Sequence, residues 1–228
     1  MQPRARAVWI ADRLSDQYGV PSVARTNPVE SLVRTILSQN TNDTNRDRAY
    51  ASLLERFGTL DGVRAASAAA IGRAIRVGGL HRQKSARIRE VLKRIYRERG
   101  RLDLLFLGEW ELDAAMDWLL ASPGVGKKTA GIVMLFSFDR PYFPVDTHIR
   151  RVLTRVGLIG PNGDPHDQAN AILPKDPSLM ARLHLLIIRL GREICRPRRP
   201  NCTGCPIRAG CEWASRNPAS SATSGGQV

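Results

Sequence analysis

The stretch Pro123-Gly124-Val125-Gly126-Lys127-Lys128-Thr129-Ala130 decides how this chain folds and what it can hold. Two glycines one residue apart, followed by two lysines and an apolar run, describe a tight turn that opens a helix. Such a turn leaves backbone N–H groups unpaired at a helix N-terminus, where the peptide dipoles favour an anion. The segment is not a nucleotide-binding P-loop of the form G-x4-G-K-[ST]. Ala121 stands where its first glycine is required, and Lys128 where Ser or Thr is required. A nucleic-acid backbone phosphate fits the turn. Taken alone, so does a plain helix stop with two solvated lysines.

Outward from the turn the chain reads as short helices with almost no period-2 alternation, so the predicted class is all-α. One helix runs from Asp113 to Ala121 before the turn, and another from Lys127 to about Phe138 after it. Asn27-Pro28-Val29-Glu30 supplies an N-cap, a proline at the first helical position and an acid placed to reciprocate the cap. The apolar Leu32, Val33, Ile36 and Leu37 come next, and that helix ends near Ser38. The polar run Gln39-Asn40-Thr41-Asn42-Asp43 cannot bury itself and caps a helix through Tyr50, Leu53 and Leu54 that stops at Gly58. A helical segment over 66–75 and a Gly78-Gly79 turn come after it. A basic helix from Gln83 to Arg99 then carries Ile88, Val91, Leu92, Ile95 and Tyr96 on its inner stripe. Its arginine face suits solvent or DNA equally.

The 228 residues carry 35 Lys+Arg against 21 Asp+Glu, a net charge of +14 that suits a polyanionic partner. A generally arginine-rich proteome would give the same sign, so charge alone decides little. No apolar run is long enough to cross a membrane, and Met1-Gln2-Pro3-Arg4 leads into an amphipathic helix instead of a signal segment. A cytoplasmic protein is expected, without a membrane partner. All four cysteines lie between Cys195 and Cys211, which reads as a metal site before it reads as disulfides. Cys195, Cys202, Cys205 and Cys211 have the spacing C-x6-C-x2-C-x5-C, with Pro197, Pro200 and Pro206 bending the backbone between them. Four thiolates suit either zinc or an iron-sulfur cubane. Arg196, Arg198 and Arg199 in the first loop suggest a surface that also touches phosphate. Further upstream, Pro144-Val145-Asp146-Thr147-His148 offers an acid and a histidine at the start of the helix of Ile149, Val152, Leu153 and Val156. Asp146 there is an N-cap, a functional carboxylate, or both.

The hairpin, the Val-Asp-Thr-His and the cysteine pattern, in this order and spacing from about Pro28 to Cys211, closely resemble the endonuclease III family. The resemblance implies a helix-hairpin-helix DNA glycosylase fold: a six-helix barrel domain over 28–138 and an iron-sulfur cluster domain from 1–27 with 139–213. Residues 214–228 are expected to be a disordered tail. DNA would bind in the cleft between the domains. Residue by residue, the resemblance makes Lys128 the Schiff-base lysine, Asp146 the catalytic aspartate, and Cys195, Cys202, Cys205 and Cys211 the ligands of a [4Fe-4S] cluster. Gly124, Val125 and Gly126, with Lys127, match the phosphate-gripping hairpin. Leu80 matches a leucine that wedges into the duplex, beside His81. Asn40, preceded by Gln39, matches the side chain that fills the gap left by the extruded base. His148 joins the expected DNA-contacting set.

The resemblance further implies a bifunctional glycosylase and AP lyase of base excision repair. It would act as a monomer on double-stranded DNA carrying oxidised pyrimidines or abasic sites, in the cytoplasm at the nucleoid. Three positions depart from the family pattern. Ser122 replaces a leucine before the Pro-Gly, His81 replaces a tyrosine, and Leu190 stands where histidine is frequent before Gly191-Arg192. Two rivals are a monofunctional mismatch glycosylase of the same fold, which typically lacks a lysine at the position of Lys128, and a non-catalytic DNA-binding iron-sulfur protein.

Overall fold

The computed structural model describes residues 1–217, and all regular structure among them is helical. In chain order the helices are α1 Pro3–Tyr18, α2 Pro28–Leu37, α3 Asp43–Phe57, α4 Leu60–Ala65, α5 Ala68–Ala74 and α6 His81–Arg99. They continue with α7 Leu112–Leu120, α8 Lys127–Phe138, α9 Thr147–Val156, α10 Pro165–Ile172, α11 Pro177–Glu193 and α12 Glu212–Arg216. None of the described helices is long and apolar enough to cross a membrane. Two compact units divide the described residues: Arg25–Arg140, and Met1–Ala24 together with 141–217.

In the unit Arg25–Arg140, α8 is apolar on nearly every side, burying Ala130, Val133, Met134 and Leu135, and it packs against α2 and α7. A helix that is apolar all round belongs inside, and α2, α6 and α7 supply the amphipathic cover. α2 begins as its sequence requires. Asn27 Oδ1 accepts from the N–H groups of Val29 (3.0 Å) and Glu30 (3.1 Å), with Pro28 in the first turn. The acid expected to reciprocate the cap instead pairs with Arg34 one turn on, at 3.5 Å. The segment predicted as one helix over 66–75 is preceded by a separate short helix, α4, and itself begins only at Ala68 as α5. Ser67 separates the two by accepting from the Ala70 N–H (3.2 Å), a local bond that competes with helix propagation and starts α5 afresh.

In the other unit, α11 packs against α1 and α9, and α12 packs on α9. Gly191 lets α9 approach α11: a Cβ there would lie 3.0 Å from Cβ of His148 and 3.2 Å from Nη2 of Arg151. Arg6 of α1 donates to the Val156 carbonyl at the end of α9 (3.1 Å) and to Glu212 of α12 (3.3 Å). The tail expected to begin at residue 214 is therefore corrected at its start: Ala214 is buried within α12, because its face covers α9. The remainder of that expected tail, 218–228, lies outside the described residues.

Candidate active site and cysteine cavity

Between α7 and α8 the chain turns at 121–126. The Val125 N–H donates to the Ser122 carbonyl (3.1 Å), and Gly124 takes φ 79°, a conformation open to glycine at little cost. Arg87 of α6 lies across this turn, so close that a Cβ on Gly124 would sit 2.3 Å from its Cδ. The same Arg87 donates to Oε1 of Gln39 (2.8 Å), and Gln39 Nε2 in turn reaches the Gly124 carbonyl at 3.4 Å. Gln39 is thus engaged in holding the turn. Its neighbour Asn40 is exposed, with φ 50°. Ser122, buried where the family pattern has leucine, has a polar reason to be there: its Oγ accepts from Arg94 at 2.7 Å.

Gly126 caps α8 and contributes no side-chain acceptor to its first-turn N–H groups, an arrangement compatible with an anion at the helix N-terminus. Val125 is buried beneath the turn, and Lys127 opens the helix. Lys128, the second residue of α8, is half-buried, and no hydrogen bond or ion pair engages its amine among the described residues. In the same unit Leu80 takes φ 45° and leaves 44% of its surface exposed, an unusual state for a leucine. His81 comes next as the first residue of α6.

Asp146, in the second unit, caps α9: its Oδ1 accepts from the Ile149 N–H at 2.8 Å. The extended segment that delivers it is pinned by three side chains that sequence reasoning missed. Asn170 bonds both the N–H (2.8 Å) and the carbonyl (3.0 Å) of Phe143, His166 Nδ1 accepts from the Val145 N–H (3.2 Å), and His184 Nδ1 meets the Pro144 carbonyl (3.0 Å). Each is a long-range contact whose only sequence trace is a polar residue within a helix. His148 lies against Gly191, with Arg151 Nη2 3.2 Å from its Nδ1. Burial foremost, with the nearby Arg151 and Arg192 charges, holds its pKa below the usual histidine value, against the pull of Asp146. It is therefore a neutral ring at pH 7.

All four cysteines are free and line one apolar cavity, walled also by Leu190 and Ile207. Arg155 anchors the first loop, donating to Sγ of Cys195 (3.4 Å) and to the carbonyls of Arg196 (2.8 Å) and Pro197 (2.9 Å). Burial pushes the Cys205 thiol up to about 11 and raises that of Cys211. Without a cation among them these two groups stay protonated at pH 7. No three His, Cys, Asp or Glu side chains among the described residues are grouped so as to hold a single metal ion. Four thiols around one cavity are the donor set of a thiolate metal site, zinc or iron-sulfur.

The HhH-GPD superfamily base excision DNA repair protein family matches residues 33–175, and the chain belongs to that family. It is 31% identical over 193 residues to endonuclease III of Thermotoga maritima, covering 84% of this chain and 85% of that protein. It is 36% identical over 190 residues to endonuclease III of Sulfolobus acidocaldarius, covering 82% of each. A solved non-covalent endonuclease III–DNA complex shares the fold, with TM-score 0.77 at 24% identity over 96% of this chain and 99% of that one. The chain is an enzyme of the DNA glycosylase and AP lyase class.

Proposed function

We propose that this enzyme is a bifunctional glycosylase and AP lyase that removes oxidised pyrimidines from duplex DNA, with Lys128 as its nucleophile. The observation that carries the reading is the Lys128 amine itself, half-buried and unengaged at the open N-terminus of α8. Gly124, Gly126 and Lys127 would offer a backbone phosphate their N–H groups on the turn that Val125 anchors, leaving the amine beside the sugar. Nζ then attacks C1′ while the bond to the base breaks, and the pyrimidine leaves with that electron pair and takes up a proton. Loss of a proton from the bound nitrogen and opening of the sugar give an iminium. This acidifies the C2′ proton, whose removal expels the 3′ phosphate by β-elimination. Asp146 keeps one carboxylate oxygen on its helix cap and would turn the other toward positive charge on the sugar or the proton of the lysine.

Asn40 and Leu80, both exposed and at positive φ, fit the roles of gap-filler and wedge, with His81 and the neutral His148 in further DNA contact. Gln39 acts through the turn it holds. Unstacking a damaged base costs less than unstacking a normal one, which is one source of selectivity. Cys195, Cys202, Cys205 and Cys211 would hold a [4Fe-4S] cluster, whose contribution is to cross-link this segment. The resemblance of the C-x6-C-x2-C-x5-C spacing to the endonuclease III pattern supports a cluster over zinc. We read the enzyme as a monomer acting on nucleoid DNA.

Turnover of a duplex carrying one thymine glycol tests the reading. Wild type should release the base and cut on the 3′ side, with Lys128→Gln failing at both steps. Base release without cutting by wild type would make the enzyme monofunctional. Binding without base release would make it non-catalytic. Iron and acid-labile sulfide should be present in equal amounts, and zinc in their place would overturn the cluster assignment.

A further inference from the structure

The inner stripe of α6 begins with a charged group. Lys84 is fully buried, at 0% exposure, and no carboxylate pairs with it among the described residues. Its Nζ donates to two backbone carbonyls, Leu37 at 2.7 Å and Gly78 at 2.7 Å. A buried ammonium is costly unless hydrogen-bonded, and an apolar residue would pack here without that cost. What the lysine adds is the pair of bonds.

The two acceptors are not arbitrary carbonyls. Leu37 ends α2, and the chain passes from it through Ser38 and Gln39 to Asn40. Gly78 closes the short turn Arg76–Gly78, and the chain passes from it through Gly79 to Leu80. Both destinations hold a left-handed backbone, φ 50° at Asn40 and φ 45° at Leu80. Residues with side chains keep that conformation only where the surroundings fix it. One ammonium therefore anchors the roots of two strained loops.

We infer that Lys84 is a positioning residue for lesion probing: by holding the Leu37 and Gly78 carbonyls on one ammonium, it sets Asn40 and Leu80 in a fixed relation to the duplex. This rests on the probing roles proposed for those two side chains. Lys84 touches no DNA itself and has no part in the chemistry at C1′.

The test compares wild type, Lys84→Met and Leu80→Ala in two assays. The first reads fluorescence of 2-aminopurine placed beside a thymine glycol, which rises as the duplex is unstacked. The second reads borohydride trapping on single-stranded abasic DNA, where no duplex has to be opened. Lys84→Met should behave as Leu80→Ala does. It should lose the fluorescence rise and about tenfold or more in kcat on the duplex, with KM within about threefold, while trapping single strands like wild type. Full fluorescence rise and duplex turnover in Lys84→Met would overturn the inference. So would equal loss in both assays, which marks a general structural role. If Lys84→Met does not fold, Lys84→Gln, which keeps donors on a shorter stem, is judged by the same criteria. Absence of trapping by wild type would instead overturn the lyase reading, leaving the fluorescence comparison to decide on Lys84.

Discussion

At the scale of single residues, Asp146 has an observed role as the cap of α9 and a proposed role at the sugar, and substitution can separate the two. Asn keeps an oxygen for the Ile149 N–H, so Asp146→Asn should hold its unfolding free energy to within about 0.5 kcal/mol, and hold duplex affinity, while losing turnover. Asp146→Ala should lose turnover and in addition about 1 kcal/mol, read by urea denaturation. Loss of folding and binding together in the Asn variant would reduce Asp146 to its cap. Lys84 makes a pH prediction of definite sign. Burial pushes its pKa from the usual lysine value down to about 8. Below that pH both the folded and unfolded states hold the proton, and there is no dependence. Above it the unfolded chain binds the extra proton, so stability rises with pH until the unfolded lysine also titrates. Wild type should therefore gain on Lys84→Met by about 1 kcal/mol between about pH 8 and 9, measured by denaturation at each pH. Asp146, Lys128 and the four cysteines stand out in the sequence as candidates, because unusual residue types recur there at motif spacing. Lys84 is legible only in register: it lies one helical turn before Ile88 on the buried stripe, whose apolar pattern starts at Ile88 itself. Arg87 gives no signal, since its partners Gln39 and Gly124 are distant in sequence.

At the scale of elements, the hairpin is the part of the fold that sequence chemistry constrains most tightly. Its length, its glycines and the start of α8 at Lys127 are all dictated by local rules. Local rules leave open why the turn tolerates nothing larger at its first glycine: Arg87 occupies the space. Gly124→Ala should therefore cost about 1–2 kcal/mol from the left-handed backbone alone, and more from displacing Arg87. It should also weaken duplex binding, because Gln39 loses its donor when Arg87 moves. Unchanged stability and affinity would mean that the Arg87 contact is incidental. The break between α4 and α5 escapes the sequence for a related reason, since the alanine-rich run favours a helix and a single serine cap overrides it. The hairpin unit and the cysteine unit both draw on long-range packing, such as the α9–α11 approach at Gly191, that no local pattern announces.

At the scale of the whole molecule, the net charge of +14 predicts a polyanion but not where it binds. The structure narrows this, because many arginines are paired with carboxylates, among them Arg34, Arg46, Arg94 and Arg189. Arg73, Arg76 and Arg82 instead line one open pocket with His81, beside Leu80, and no carboxylate pairs with them among the described residues. If they face phosphates, Arg76→Gln and Arg82→Gln should each lower the slope of log affinity against log salt by about 1, measured by duplex anisotropy across a salt series. An unchanged slope would leave that face to solvent. In the proposed reaction the chemistry turns on the lysine at the hairpin. The most direct measurement is borohydride trapping on a duplex with one abasic site, comparing wild type with Lys128→Gln and locating the adduct by mass spectrometry. A covalent complex in wild type alone, mapped to Lys128, is the predicted result; a complex that persists in Lys128→Gln, or none in wild type while the duplex stays bound, would contradict it.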